Sequence, residues 1–378
     1  MTSGVAVRPR AGVDAISPYK AGEAVIPGRA AATKLSSNES PFGPGQAVLD
    51  AIAVAAGDAR RYPDSAAMAL RTAIADHFEL DVGGIVCTNG SESLIDLIAR
   101  TFAGPGDEIL FPEHSFPMYP IVTRAAGAQV VEAPAPDLTA DVDALLARIT
   151  PRTKVIFIAN PNNPTGTCID KQKIAALLKA VPSHIVVGLD SAYGEYVDDP
   201  SYSDGFEFIA QGHRNVIVLK TFSKIYALAA LRLGWGYAAP EVVELMMRVR
   251  PPFNVSSLAA AAGCAALAEP ARIKEIVAHT RHWRERLMRI LNDGGLHTTD
   301  SVCNFVVCRF NRRGSWQRAD EILKSHGIIV RPLPALNALR ITIGTTEEND
   351  LLVAALADVI ADSQGSAFLE SKKRSAPR

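Results

Sequence analysis

The chain has 378 residues, of which 48% are hydrophobic, and its formal net charge is −1. A chain of this length exceeds one ordinary hydrophobic core, so we expect a large domain together with a smaller one. The nearly balanced charge excludes a broad field that would hold a nucleic acid or an anionic membrane, and it favours a small-molecule partner.

The first 270 residues divide into an irregular segment and an alternating one. Residues 1–45 are rich in Gly, Pro and Ser, which predicts an arm that joins the smaller domain. Residues 46–270 alternate short β-branched segments with helical patterns, which predicts βαβ units around a mostly parallel sheet in a large domain. The predicted strands are Ile85–Thr88, Val155–Ala159, Ile185–Asp190 and Val216–Leu219, and the predicted helices are Glu92–Phe102 and Asp170–Ala180.

The remainder of the chain follows an α+β pattern. The predicted elements are a long helix at Ala271–Leu291, a strand at Phe305–Phe310, a helix from Trp316, strands at Ile328–Val330 and Leu339–Ile343, and a last helix from Thr346. We expect residues 271–362 to form a small C-terminal domain. Residues 363–378, which end in SKKRSAPR, are expected to be a mobile tail.

Cysteine usage and hydropathy indicate the compartment. The five cysteines form an odd set without a CxxC pair, which favours neither a disulfide framework nor a zinc site. No stretch of about 18 apolar residues occurs, and no apolar run follows the first residues. We therefore expect a cytoplasmic protein that binds no metal and is neither secreted nor inserted into a membrane.

Two loops that follow predicted strands have features of ligand sites. In IVCTNGSE, Gly90 permits a tight turn and the amides of Ser91 and Glu92 would lie at a helix N-terminus, where a phosphate is stabilised. An ordinary helix cap by Ser91 is the interpretation that this segment favours on its own. In NPNNPTG, two prolines and Gly166 would hold Asn163 rigidly at a strand end, although a structural turn is also compatible.

Charged side chains follow two further strands. Asp190 ends a buried strand, where a carboxylate needs a cation such as a protonated pyridine nitrogen, unless it caps a helix or forms a structural ion pair. In LKTFSKIYALAALRLGWG, Thr221 and Ser223 flank Lys224, and Arg232 offers a fork suited to phosphate. A lysine nucleophile beside an anion site is the interpretation that this segment favours over a solvated helix.

Taken in order, these motifs resemble the fold-type I aminotransferases and, within them, the histidinol-phosphate aminotransferase group. The resemblance runs from SPYKAG and KLSSNESPFGP through RYPDS, TNGSES, PNNPTG, LDSAY and TFSKIYALAALRLGWGY to GIIVRP and LRITIGT. It implies a three-layer α/β fold with a mostly parallel central sheet and a smaller α+β domain. It also implies pyridoxal 5′-phosphate as cofactor and a homodimer with shared active sites.

The resemblance assigns roles to individual residues. Lys224 would hold the cofactor covalently and move protons, Asp190 would pair with the pyridine nitrogen, and Tyr193 and Asn163 would donate to the ring oxygen. The phosphate would be held by Ser91, Glu92, Thr221, Ser223 and Arg232, and by Tyr62 of the neighbouring subunit. Phe116 would stack on the ring. Arg340, Arg331 and Tyr19 would bind the anionic group of the substrate, and Asn163 would also contact the substrate.

The substrate stays open at this point. The resemblance implies histidinol phosphate as amino donor and 2-oxoglutarate as acceptor, in histidine biosynthesis. An aromatic amino acid is the alternative, because the same arginines can hold a carboxylate, and a PLP-dependent decarboxylase of an amino-acid phosphate is a third possibility. The chain departs from the group at Ala227 and Ala230, at the Glu92–Ser93 pair and in the short segment between Arg331 and Arg340.

Overall fold

The computed structural model describes residues 7–29 and 31–374, with side chains described up to residue 364. The strands of these residues, in chain order, are β1 (Thr33–Lys34), β2 (Ile85–Thr88), β3 (Glu108–Pro112), β4 (Gln129–Ala133), β5 (Thr153–Ala159), β6 (Val186–Asp190), β7 (Val216–Thr221), β8 (Gly234–Ala238), β9 (His297–Thr298), β10 (Phe305–Arg309), β11 (Ile328–Ile329), β12 (Arg331–Leu333) and β13 (Ala338–Thr342).

The helices of the same residues are α1 (Gln46–Ala56), α2 (Met68–Phe78), α3 (Ser91–Phe102), α4 (Met118–Ala126), α5 (Val142–Ala147), α6 (Lys171–Ala180), α7 (Phe206–Ala210), α8 (Pro240–Val249), α9 (Ser257–Leu267), α10 (Pro270–Asp293), α11 (Ser315–Ser325) and α12 (Thr346–Arg374). In the described part of the chain, none of them combines the length and the apolar character that crossing a bilayer requires.

A seven-stranded sheet forms the centre of the molecule, in the order β2-β8-β7-β6-β5-β3-β4. Strand β8 runs antiparallel to both of its neighbours, and the other pairings are parallel. The expected mostly parallel sheet is therefore confirmed. Its strands are apolar on both faces because helices cover both faces of such a sheet.

Side-chain alternation along β5 shows how the three layers form. Val155 and Phe157 pack with α3, α4 and α8 on one face of the sheet, whereas Ile156 and Ile158 pack with α5, α6 and α7 on the other. Successive strand residues point to opposite faces, so a strand between two helical layers needs an unbroken apolar run. The segment VIFIA meets that need and places the following loop at the carboxyl edge of the sheet.

A second, four-stranded antiparallel sheet has the order β12-β13-β10-β9 and packs with α10, α11 and α12. The N-terminal segment reaches this region because β1 pairs in parallel with β11, with Thr33 opposite Ile328. The domain boundaries expected from the sequence stay a prediction. Helix α12 continues to Arg374, so the segment expected as a mobile tail is largely helical in the described residues, and residues 375–378 lie outside them.

Candidate active site

A pocket at the carboxyl edge of the central sheet contains every residue assigned to the site from the sequence except Tyr62. Its lining includes the ends of β5, β6 and β7, the start of α3, the N-terminal segment around residues 36–38, and the strands β12 and β13. Parallel sheets bind ligands at this edge because the loops that follow their strands converge there. The pocket therefore joins segments that are more than 300 residues apart in the chain, such as those of Tyr19 and Arg340.

One end of the pocket is built to hold an anion. Helix α3 begins at Ser91 and its N-cap is Gly90, with φ of 83°, so the expectation of a Ser91 cap is wrong. Arg232 lies beside this helix start, and its Nη1 donates to Ser223 Oγ over 3.3 Å. A side chain at position 90 would lie 2.7 Å from Arg232 Nη2, so only glycine leaves the helix amides and the guanidinium open together.

Thr221 and Glu92 complete this end of the pocket. The Thr221 hydroxyl accepts from the Ser223 amide over 3.1 Å, which holds the turn that precedes Lys224. Glu92 Oε2 lies 3.6 Å from Arg232 Nη2. The half-exposed carboxylate partly balances the guanidinium, and the helix amides and the Ser223 hydroxyl remain as uncharged donors toward an anion.

Asp190 is a buried carboxylate that has no salt-bridge partner in the described part of the chain. Its Oδ2 accepts from the hydroxyl of Tyr119 over 3.1 Å and its Oδ1 from the amide of Ala192 over 3.2 Å. Burial raises the pKa of Asp190 to about 6, and the two hydrogen bonds oppose that rise. A carboxylate in this state gains most from a cationic ligand group in the pocket.

Lys224 is a cation that is likewise left without a carboxylate partner among the described residues. Its Nζ lies 3.4 Å from the carbonyl oxygen of Ser37 and 5.8 Å from the ring centre of Tyr193. Burial of the amine and the charge of Arg340 lower the pKa of Lys224 to about 8. A substantial fraction of this amine is therefore neutral near physiological pH, as a nucleophile or a general base requires.

The opposite end of the pocket is cationic. Arg340 is buried on β13, where its Nη1 donates to Asn163 Oδ1 over 2.6 Å and its Nη2 to the Ser36 carbonyl over 3.0 Å. Its Nε has no partner in the described residues. Because Asn163 uses its amide oxygen on Arg340, the NH₂ group of that amide stays available to donate into the pocket.

The register of strands β12 and β13 places a second arginine, Arg331, beside Arg340. Arg331 lies directly opposite Arg340 in the β12–β13 pairing, and its Nη2 donates to the carbonyl of Lys20 over 2.8 Å. Tyr19, half exposed, follows the same N-terminal segment into the pocket. Like charges in directly opposite positions destabilise a sheet unless an anion lies between them. The segment from Arg331 to Arg340 is a tight hairpin, which explains its short length.

The assigned residues Phe116, Tyr193 and Tyr62 lie in three different surroundings. Phe116 lines the pocket and meets Tyr119 edge-on, with ring centres 6.0 Å apart. Tyr193 is buried, and its hydroxyl accepts from Asn38 Nδ2 over 2.8 Å. Tyr62 lies outside the pocket, is 84% exposed and stacks on Phe253. An aromatic pair this exposed is available to a neighbouring molecule.

Sequence reasoning missed two residues that contact the assigned ones, Tyr119 and Asn38. Tyr119 lies three residues after Phe116, and that spacing could have indicated that the two rings lie side by side. Asn38 lies within KLSSNESPFGP, which supported the family resemblance without a role for the residue. Of the described residues, no group of three or more His, Cys, Asp or Glu is placed to hold a metal ion.

Comparison with known proteins tests the resemblance. The family model for aminotransferase class I and II matches residues 31–356. The chain belongs to this family. The aminotransferase assignment made from the sequence is thereby confirmed.

Relatives with established names cover nearly the whole of this aminotransferase. It is 45% identical over 357 residues to the histidinol-phosphate aminotransferase of Paramagnetospirillum magneticum, covering 93% of this chain and 98% of the relative. It is 44% identical to the enzyme of that name from Granulibacter bethesdensis, covering 94% and 97%.

A solved structure supports the fold. The histidinol-phosphate aminotransferase from Sinorhizobium meliloti, in complex with pyridoxal-5′-phosphate, superposes with a TM-score of 0.82 at 31% identity. The match covers 89% of this chain and 92% of that one. The three-layer α/β fold implied by the resemblance is confirmed.

Proposed function

We propose that this aminotransferase binds pyridoxal 5′-phosphate and transfers the amino group of histidinol phosphate to 2-oxoglutarate. The observation that carries the proposal is the position of two arginines, Arg331 and Arg340, in the same pocket as a buried carboxylate and an anion-binding helix start. The carboxylate is that of Asp190, and the helix is α3. Curated relatives at 41–45% identity are histidinol-phosphate aminotransferases, which supports the same substrate.

The residues of the pocket fit the cofactor. The open helix start at Ser91, with Arg232 and Ser223 beside it, matches a phosphate group. Asp190, which lacks a cation, matches a protonated ring nitrogen, and Phe116 offers an apolar face for the ring. Tyr193 and Asn163 have donors available for the ring oxygen. Lys224 lies among these groups, and we assign it to the covalent attachment of the cofactor.

The chain's own residues would divide the work of the reaction. Bound in this pocket, pyridoxal phosphate supplies an electron-accepting ring that stabilises the charge left when the substrate carbon loses a proton. Asp190 keeps the ring nitrogen protonated, which makes the ring a better acceptor. The amine of Lys224 would accept that proton as a general base and return it as a general acid.

The arginine pair supports a dianionic substrate. A bidentate guanidinium contact is strong and directional, and a phosphate has enough oxygens to engage both Arg331 and Arg340. A carboxylate can be satisfied by Arg340 alone. The aromatic amino acids therefore remain a second candidate class, favoured by the observation that Arg331 already donates to the Lys20 carbonyl.

A substrate panel tests the proposal. The cofactor-loaded protein is mixed with histidinol phosphate, phenylalanine, tyrosine, histidine and aspartate, and the change in cofactor absorbance is recorded. Histidinol phosphate is expected to react fastest, and production of an oxo compound separates transamination from decarboxylation. Arg331→Ala is expected to impair histidinol phosphate while largely sparing phenylalanine. Equal losses on both substrates would instead favour the aromatic aminotransferase.

Tyr62 supports a homodimer with two composite sites. Its side chain is 84% exposed and lies outside the pocket of its own chain, as a residue that serves a neighbouring subunit would. Inactive Lys224→Ala is mixed with a variant crippled at Tyr62, and subunit exchange is expected to restore activity. Proven exchange without recovery would mean that each site is built from one chain.

The free cysteines of the described structure support a reducing compartment for this biosynthetic reaction. We therefore propose that the enzyme works in the cytoplasm.

A further inference from the structure

Asn38 links the N-terminal segment to both ends of the pocket. The residue is fully buried between Tyr193, which belongs to the cofactor end, and Thr342, which lies two residues after Arg340 on β13. Alternate residues of a strand share a face, so Thr342 and Arg340 both point toward the N-terminal segment. Asn38 is therefore placed where the substrate end and the cofactor end meet.

Four hydrogen bonds hold Asn38. Its amide N–H donates to Thr342 Oγ1 over 2.9 Å, and Thr342 Oγ1 lies 3.2 Å from Asn38 Oδ1. Its carbonyl accepts from Asn304 Nδ2 over 3.1 Å, and its Nδ2 contacts the Tyr193 hydroxyl over 2.8 Å. Its φ is 54°, a left-handed conformation that asparagine tolerates better than most residues. Backbone and side chain are thus both restrained.

The network determines which way the Asn38 amide points. Thr342 Oγ1 already accepts the Asn38 N–H, and among the described residues its own hydrogen has no acceptor other than Asn38 Oδ1. The amide oxygen therefore faces Thr342 and the NH₂ group faces Tyr193. An NH₂ group can only donate, so the Tyr193 hydroxyl must accept from it.

The consequence falls on the hydrogen of the Tyr193 hydroxyl. No protein acceptor for it occurs in the described residues, and burial raises the pKa of Tyr193, which keeps the hydroxyl protonated. The hydrogen is therefore free for an acceptor within the pocket. The charged and titratable groups that interact with Tyr193 in the described residues include Asp190, Lys224, Arg340, Cys303 and Tyr196, and none of them accepts this hydrogen.

We propose that Asn38 is a positioning residue that makes Tyr193 an obligate hydrogen-bond donor toward the ring oxygen of the cofactor. The inference rests on the proposed function and adds a residue to it. A donor to that oxygen stabilises its negative charge, so it lowers the pH at which the bound cofactor changes absorbance. Asn38 thus sets the titration of the cofactor through the Tyr193 hydroxyl.

The substitution Asn38→Asp reverses the direction of the hydrogen bond between residue 38 and the Tyr193 hydroxyl. The side chain keeps nearly the same shape. A carboxylate accepts from the Tyr193 hydroxyl and draws its hydrogen away from the pocket. The midpoint pH of the absorbance change is expected to rise by about one unit, which is the size of one lost hydrogen bond. The dissociation constant of pyridoxal phosphate, measured on the apoprotein by fluorescence, is expected to rise several-fold.

The new charge at position 38 could also raise the midpoint directly, so the substitution is repeated in the Tyr193→Phe background. If Asn38 acts through the hydroxyl, Asn38→Asp shifts the midpoint much less there than in the presence of Tyr193. A full shift in both backgrounds would overturn the proposal, because it would assign the effect to charge alone. An unchanged midpoint in folded Asn38→Asp would overturn it as well.

Thr342 provides a test without a change of charge. Thr342→Val removes the hydroxyl that orients the amide and is expected to raise the midpoint, whereas Thr342→Ser keeps the hydroxyl and the wild-type midpoint. This pair decides the matter if Asn38→Asp fails to fold, and equal midpoints in the two variants would contradict the proposal. The unmodified protein is assayed first: failure to bind pyridoxal phosphate would refute the proposed function, whereas wild-type behaviour of the variants would refute only the role of Asn38.

Discussion

Two lysines four residues apart show how differently one chain treats buried cations. Lys220, at the end of β7, is fully buried, and its Nζ lies 2.9 Å from Glu195 Oε1 and 2.8 Å from Asp204 Oδ1. These carboxylates raise the pKa of Lys220 despite the opposing effect of burial. Lys224 faces the pocket without such a partner, and its pKa falls to about 8. A paired cation stabilises the fold, whereas an unpaired one is available for chemistry.

The same contrast holds for the other charges of the pocket. Asp190 has no cation and Arg340 has no carboxylate within the described residues, although both are buried. Outside the pocket, Glu108 has its Oε2 bonded to Thr150 and its Oε1 to Arg152. The charges without an oppositely charged partner thus lie in the pocket, where a charged ligand can neutralise them. The following variants test this difference between paired and unpaired buried charges.

The largest expected effect is the loss of activity in Lys224→Ala. Turnover should fall by roughly three orders of magnitude or more, because both the attachment of the cofactor and the proton carrier disappear. Binding of pyridoxal phosphate should survive through the phosphate and ring contacts. Single-turnover absorbance measurements and equilibrium dialysis check the two statements, and substantial transamination by this variant would refute the assignment of Lys224.

Lys220→Met should affect stability instead. Removal of the cation leaves Glu195 and Asp204 as partly buried carboxylates without a cationic partner, which is expected to cost about 3–5 kcal/mol of unfolding free energy. Urea denaturation of the apoprotein measures the loss, and Lys224→Met serves as the matched control with little loss. Adding Glu195→Gln to Lys220→Met should restore part of the stability. Equal losses for the two lysines would erase the distinction between them.

Asp190→Asn should make the apoprotein more stable while it impairs the enzyme. The pKa of Asp190 is raised from 3.8 to about 6, so the folded state binds more protons than the unfolded state between these values. This group therefore favours folding below about pH 4, and its contribution is lost as the pH rises through 6, by up to about 3 kcal/mol. The substitution should flatten that part of the pH profile and lower kcat much more than substrate affinity. A kcat near that of the wild type would leave Asp190 a purely structural role.

The smallest of these effects is expected for Arg340→Lys. A lysine keeps the charge but loses the paired contacts to Asn163 and Ser36 and the bidentate contact to the substrate anion. The loss in kcat/KM should be about 1.5–3 kcal/mol, or roughly tenfold to more than a hundredfold. Steady-state kinetics with histidinol phosphate measures it. A change confined to stability would mean that Arg340 serves the fold alone.

Periodicity and strand-end position determined much of this protein from the sequence. The strand at Ile85–Thr88 begins and ends as predicted, and the long helix predicted at Ala271–Leu291 extends by only one or two residues at each end. Such agreement is expected because burial on both faces of a sheet demands a continuous apolar run. Asp190 and Lys224 could be recognised for the same reason, since each lies within a few residues of a strand end.

Tertiary structure alone decided which distant side chains meet these residues. Tyr119 contacts Asp190 across 71 positions, and Asn38 contacts Tyr193 across 155. Such pairs leave no local spacing in a single sequence, because their distance depends on sheet order and on where the N-terminal segment lies. The opposition of Arg331 and Arg340 likewise depends on hairpin register, and a shift of one residue would turn one of the two guanidinium groups away from the pocket.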